Sequence, residues 1–243
     1  MKLQVKVLIL LAITLLAGIL QWQLLAQKRV LTRDSIKYIM LAENRGALQA
    51  EIEEISLQLD PPKRFFTGIL TKTEQMGLDP VKIGLTINFI AGMILPVLAY
   101  IFGLGVSQNE KLSLLAALLC AVNPFWLDVA TEIQRDAAFA VSLGAATVCL
   151  IYGYRRGNYY LAVLAGVFAA LAMLLRYEGL EIFLWLVGIG LYFGIRKLKS
   201  YKWLAAWNSL FITAMMAAYF VSAWVMNINA EDFLYQFWEK LNG

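Results

Sequence analysis

Residues 131–139 read TEIQRDAAF. Before them lies LLAALLCAVNPFWL (114–127), and from residue 137 onward runs AAFAVSLGAATVCLIYGY (137–154), both almost wholly apolar. Glu132, Arg135 and Asp136 therefore belong either to a surface turn of a soluble domain or to the connection between two membrane helices. The rest of the chain decides between these. Of 243 residues, 60% are hydrophobic and only 16% charged, with a mean hydropathy of +0.66. Soluble domains average about 45–50% apolar and about 25% charged residues. The apolar excess falls in long blocks, and roughly 20 apolar residues span a hydrocarbon core. Seven such segments are legible: 7–26, 83–104, 112–128, 137–154, 159–175, 180–195 and 203–226. The expected fold is an all-α, multi-pass membrane protein forming one module over 1–243, and TEIQRD is a connection between two of its helices.

Composition excludes several kinds of chemistry. The chain has no histidine, so acid–base work falls to carboxylates, Lys, Tyr or Cys. Cys120 and Cys149 both lie inside apolar blocks and read as packing residues rather than a disulfide or a metal pair. The net charge of +4 comes without basic runs interleaved with exposed aromatics, so no nucleic-acid partner is expected. The apolar stretch Val7–Ala26 is long for a signal peptide and no good A-x-A site follows it, which favours an uncleaved first membrane helix.

The one long polar insert is 27–82. In it Ile36, Ile39 and Met40, then Leu48, Ile52, Ile55 and Leu59, recur at helical spacing, opposite Lys37, Glu43, Glu51, Glu53 and Glu54. Asp60-Pro61-Pro62 ends this stretch. A second amphipathic stretch carries Phe65, Phe66, Ile69, Leu70 and Thr73, and Gly77 and Pro80 close it. Two helices lying at the membrane interface fit this pattern, with a solvated helical hairpin as the alternative. The RYEG break between the fifth and sixth segments is small enough for the pair to be one long broken helix.

Loop parity sorts the charges. One side holds 27–82, 129–136, 176–179 and 227–243, and the other the N-terminus, 105–111, 155–158 and 196–202. The second side carries Lys2, Lys6, Lys111, Arg155, Arg156, Arg196, Lys197, Lys199 and Lys202 against Glu110 alone. Positive residues mark the cytoplasmic side, so the N-terminus is expected inside, although Lys28 and Arg29 oppose this. Sixteen of the 17 acids then fall on the outer side or at its border. Three connections present charge to that face: Asp34, then Glu132, Arg135 and Asp136, then Arg176 and Glu178. Ordinary loop polarity explains any one of these equally well. As a set they point to function, because charges at the membrane boundary of short hairpins are costly and mark substrate paths.

The motif order resembles a family. RDSIKYIMLAEN (33–44) follows the first helix, with Asp34, Tyr38 and Ala42 in a D-x-x-x-Y-x-x-x-A pattern; a PP segment precedes the second. NPFWLDVATEIQRDAAF (123–139) supplies Pro124, Glu132, Arg135 and Asp136, and LAGVFAALAMLLRYEGLEIF (164–183) supplies Gly166, Leu171, Ala172, Arg176, Glu178 and Gly179. This is similar to the GT-C integral membrane glycosyltransferases, in particular the protein mannosyltransferase and lipid A aminoarabinose transferase group (glycosyltransferase family 39-like). No single motif is specific, but their order and spacing are, and they cover nearly the whole chain. The resemblance implies transfer of a sugar from a polyprenyl-phosphate donor to a lipid, glycan or protein acceptor at the extracytoplasmic face of the cell (inner) membrane. Asp34 would be the base, with Arg135 and Arg176 at the phosphate and Glu132, Asp136, Glu178 and Tyr38 around the substrate. No organic cofactor is implied; some relatives use a divalent metal, for which carboxylates are suitable ligands. The family usually continues with further helices, so this chain is expected to be an N-terminal module or short relative. The alternative from another class is a non-catalytic lipid or sugar carrier, or a scaffold subunit, with the same fold. A carrier would be expected to hold its polar residues near mid-membrane on interrupted helices, and Asn88, Pro96, Asn123 and Pro124 are the hints of such interruption.

Overall fold

The computed structural model describes residues 3–27, 32–43, 61–195 and 199–225, without the side chains of Arg33, Asp34, Leu41, Glu43, residues 61–64 and Phe193. Among the described residues all regular structure is helical. In chain order the helices are α1 (Leu3–Gln27), α2 (Arg33–Glu43), α3 (Pro61–Gln75), α4 (Pro80–Ser107), α5 (Glu110–Ala121), α6 (Pro124–Ala130), α7 (Asp136–Arg156), α8 (Tyr159–Leu175), α9 (Glu181–Ile195) and α10 (Tyr201–Val225). A 3₁₀ turn over Tyr177–Leu180 joins α8 to α9. The expected apolar positions Leu48, Ile52, Ile55 and Leu59 lie outside the described residues.

Four helices, α1, α4, α7 and α10, are long and apolar enough to cross a membrane; α5 and α6 make a fifth if counted as one span. The chain is thus a multi-pass membrane protein by length and composition. The sequence count is higher because it includes α8 and α9, which at 17 and 15 residues rise about 25 and 22 Å, short of a core about 30 Å thick.

The suspected interruptions divide. Helix α4 runs unbroken for 28 residues through Asn88 and the buried Pro96. Between α5 and α6 the chain bends by 55°, because Asn123 caps a new helix by accepting from the N–H groups of Phe125 and Trp126 and Pro124 occupies its first turn. The RYEG segment is a reversal between two helices rather than a kink in one long helix. Gly179 lies so close to α8 that a Cβ there would stand 2.5 Å from the Met173 nitrogen.

Contacts define two ends. At one, Lys6 of α1 pairs with Glu110 of α5, and Trp207 Nε1 of α10 donates to the Asn158 carbonyl between α7 and α8 at 3.2 Å. At the other, Thr32 meets Glu132, and Asp136 and Glu178 meet Arg176. In between, α8 is the axis of the core. Ala162, Ala165, Ala169, Ala170 and Ala172 are fully buried, and at Gly166 a Cβ would stand 2.5 Å from the Phe211 carbonyl oxygen of α10. Small residues let backbones approach where lipid supplies no hydrophobic drive for helix association. On its flank Trp207 and Phe211 stack with rings 7° from parallel. Cys120 and Cys149 are free thiols.

The two helices of the polar insert pack on each other. Ser35, Tyr38, Ile39 and Ala42 are buried, whereas Ile36 and Met40 are exposed, so the packed face of α2 is rotated from the Ile36–Ile39–Met40 face expected. Helix α3 buries Phe65, Phe66 and Leu70, as its periodicity predicts.

Gly166→Leu should lower the thermal midpoint of the detergent-solubilised protein by the equivalent of about 1–3 kcal/mol or more, since the α8–α10 contact has no room. Gly188→Ala on α9 should change stability little, because nothing lies within 4 Å of its added Cβ. Equal effects in scanning fluorimetry would contradict this packing.

Candidate functional site

The loop over 131–135 carries the charges, and α4 positions it. Three successive turns of α4 meet it and the end of α6 just before it through small or polar residues. At Gly84 a Cβ would stand 2.6 Å from Ile133 Cγ2. Asn88, fully buried, donates through Nδ2 to the carbonyl oxygens of Glu132 and Gln134, the latter at 2.7 Å. At Gly92 a Cβ would stand 2.6 Å from Ala130 Cβ and 2.5 Å from Gln21 Nε2 of α1. A loop between membrane helices leaves carbonyls that must find partners, and one carboxamide supplies two of them.

The start of α2 docks on the same loop. The buried hydroxyl of Ser35 accepts from the Ile133 N–H at 3.1 Å. Thr32 Oγ1 lies 2.9 Å from Ser35 Oγ and donates to Glu132 Oε2 at 3.4 Å. Asp34 sits between these two anchors in α2, so its backbone is held beside Glu132; its side chain lies outside the described residues.

The third contribution is the turn after α8. Arg176 forks onto Glu178, with Nη2 2.8 Å from Oε1 and Nε 3.2 Å from Oε2, while Nη1 donates to Asp136 Oδ1. The arrangement suits both helices: Arg176 caps the C-terminal, negative end of α8, and Asp136 occupies the first turn, the positive end, of α7. Phe139 lies under the guanidinium, 5.6 Å from centroid to Cζ. The Arg176 hydrogen bond holds the Glu178 carboxyl down to about 2, and the Arg135 charge adds to this. Hydrogen bonding to Glu178 is also the main reason the Arg176 pKa is raised, with the Asp136 charge contributing. Arg135 occupies the cap position of α7 without using its side chain there. Its Nη1 is buried and has no hydrogen-bond partner among the described residues.

Glu132, Arg135, Asp136, Arg176 and Glu178 therefore share one end of the molecule with the backbone of Asp34. Tyr38 does not join them. It is buried between α2 and α3, edge-on to Phe66 at 5.3 Å. Thr32, Ser35 and Asn88 were missed as positioning residues. The spacing Gly84, Asn88, Gly92, one per turn of an apolar helix, is the signal that could have found the last of them.

Asp136 and Glu178 are both bound to Arg176, and among the described residues no three carboxylates or thiols converge. Asp136 and Glu178 are thus committed to Arg176 rather than free for a divalent cation. The cluster holds one guanidinium locked between two carboxylates and a second, Arg135, whose Nη1 has no hydrogen-bond partner among the described residues. The chain matches no known family model, no curated protein and no solved structure.

Replacing Asn88 by Leu should destabilise by about 1–3 kcal/mol, because two buried carbonyls lose their donor; an unfolding midpoint like that of the wild type would refute its anchoring role. Glu178 predicts a pH dependence. Its carboxyl titrates near 4.5 when unfolded and near 2 when folded, so its contribution is complete above about pH 4.5 and disappears as the pH falls toward 2. It is half exposed, so screening reduces the effect. Between these pH values the wild-type melting temperature should fall more steeply than that of Glu178→Gln.

Proposed function

We propose that the chain is a GT-C type glycosyltransferase module that moves a sugar from a polyprenyl-phosphate-linked donor to an acceptor at the extracytoplasmic face of the cell (inner) membrane. The observation that carries this reading is the meeting of three sequence-distant segments, 32–35, 132–136 and 176–178, in one charged cluster. In this reading the seven apolar segments all cross or enter the membrane, α2 and α3 lie at its outer interface, and the N-terminus is cytoplasmic. The orientation is supported by the described charges: Lys6, Lys111, Arg155, Arg156, Lys199 and Lys202 sit at the end away from the cluster, with Glu110 the only acid.

The chemistry follows from the residue types. The acceptor hydroxyl attacks the anomeric carbon as the bond from that carbon to the phosphate oxygen breaks. The bonding pair leaves with the lipid phosphate, and the hydroxyl proton passes to the Asp34 carboxylate. Negative charge develops on the phosphate, where guanidinium groups serve well because they stay charged and offer forked donors. Arg135, with its uncommitted Nη1, suits this role better than Arg176, whose Nε, Nη1 and Nη2 are already bonded to carboxylates. That engagement also favours the second reading, a non-catalytic carrier or scaffold in which Arg176 only ties α8 to α7.

Membranes containing the protein should transfer sugar from a polyprenyl-phosphate donor, with Asp34→Asn lowering turnover by roughly 10²–10⁴-fold and Arg135→Gln raising the donor KM. Unchanged turnover in Asp34→Asn removes Asp34 as the base. Absence of transfer by the wild type with donor binding intact supports the carrier reading.

A further inference from the structure

A groove of about 800 Å³ lies between α4, α7 and α9, away from the charged cluster. Its walls are apolar, and several of them, including Val106, Leu184, Trp185 and Tyr192, remain exposed. Gly188 lies in its floor with open space above it. The two ends carry opposite charges: Arg155 at the end of α7, and Glu181 at the start of α9. Arg155 is exposed and has no ion pair among the described residues. Its neighbour Arg156 lies over the Tyr152 ring at 5.3 Å, and Lys199 over Trp203 at 4.9 Å, so that end of the molecule is a belt of cations and aromatic rings of the kind that sits among lipid headgroups.

We propose that this groove is a binding site for one anionic phospholipid of the leaflet at the Arg155 end. Three observations select that occupant. The volume falls in the range of specific ligand pockets, about 300–1,000 Å³. From Glu181 to Tyr192 the groove follows twelve residues of α9, about 16 Å of helix rise, which is one leaflet of a hydrocarbon core about 30 Å thick. The end charges fix the direction of binding: Arg155 attracts a phosphate, and Glu181 repels one, so the headgroup sits at Arg155 and an acyl chain extends along Gly188 toward Glu181. This site is separate from the proposed sugar-transfer site and does not depend on that activity.

Native mass spectrometry of the delipidated, detergent-purified chain tests the proposal with phosphatidylglycerol and phosphatidylcholine as probes. One phosphatidylglycerol should bind about fivefold more tightly than phosphatidylcholine, the contribution expected of one Arg near the surface. Arg155→Gln, an exposed change, should abolish the preference, whereas Arg156→Gln should keep it. Gly188→Phe, which fills the groove, should weaken both lipids. No preference in the wild type, or a preference that survives Arg155→Gln, overturns the proposal. So does a preference kept in Gly188→Phe, which would mark a phosphate contact without the groove.

Discussion

The charged end of this protein depends on the face of α4 formed by Gly84, Asn88 and Gly92. A break between helices leaves backbone carbonyls that need donors where they are shielded from water. Asn88 meets two of these with a single side-chain nitrogen. The glycines one turn to either side bring the loop close enough for those bonds to form, since a Cβ at either would collide with Ile133 or Ala130. Everything the 131–135 segment displays is set by this contact. Ser35 and Thr32 then bind the loop from its other side, so the position of α2 is also inherited from α4.

The second constraint is electrostatic. Helices α7 and α8 run antiparallel, joined through Gly157 and Asn158, so the start of α7 and the end of α8 lie side by side. Placing Asp136 at the first and Arg176 at the second sets each charge against the favourable end of its own helix and against the other. The tight reversal at Gly179 brings Glu178 back to the same guanidinium. Three charged groups thereby satisfy one another at this end of the molecule. Arg135, one residue before Asp136, stays outside that set.

Much of this was legible in the sequence. Apolar blocks mark the long helices because membrane burial demands an uninterrupted run, and loop parity collects the acids because alternate connections share an end. Gly77, which the sequence marks as closing the second amphipathic stretch, lies just past the end of α3 with a φ of 79°. Less legible was whatever depends on rotation about a helix axis. Ile36 and Met40 look apolar enough to face a core, yet Tyr38 and Ala42 do so, because Phe66 of α3 offers an edge for the Tyr38 ring. Asn88 looks like a helix breaker when only local propensity is considered. Its role becomes visible only when the carbonyls of a loop 44 residues away are counted as acceptors in need of donors.

The same counting of polar groups separates the two arginines. A guanidinium whose three nitrogens each already bond a carboxylate is held by those bonds and has less to offer a phosphate than one with an unbonded nitrogen. Arg176 is in that position, with the fork on Glu178 and Nη1 on Asp136. Arg135 holds a buried donor without an acceptor among the described residues, a state that costs on the order of 1–3 kcal/mol and that an anion would relieve. Arg176 is therefore the residue that orders the site, and in the proposed reading Arg135 is the one left to meet a phosphate.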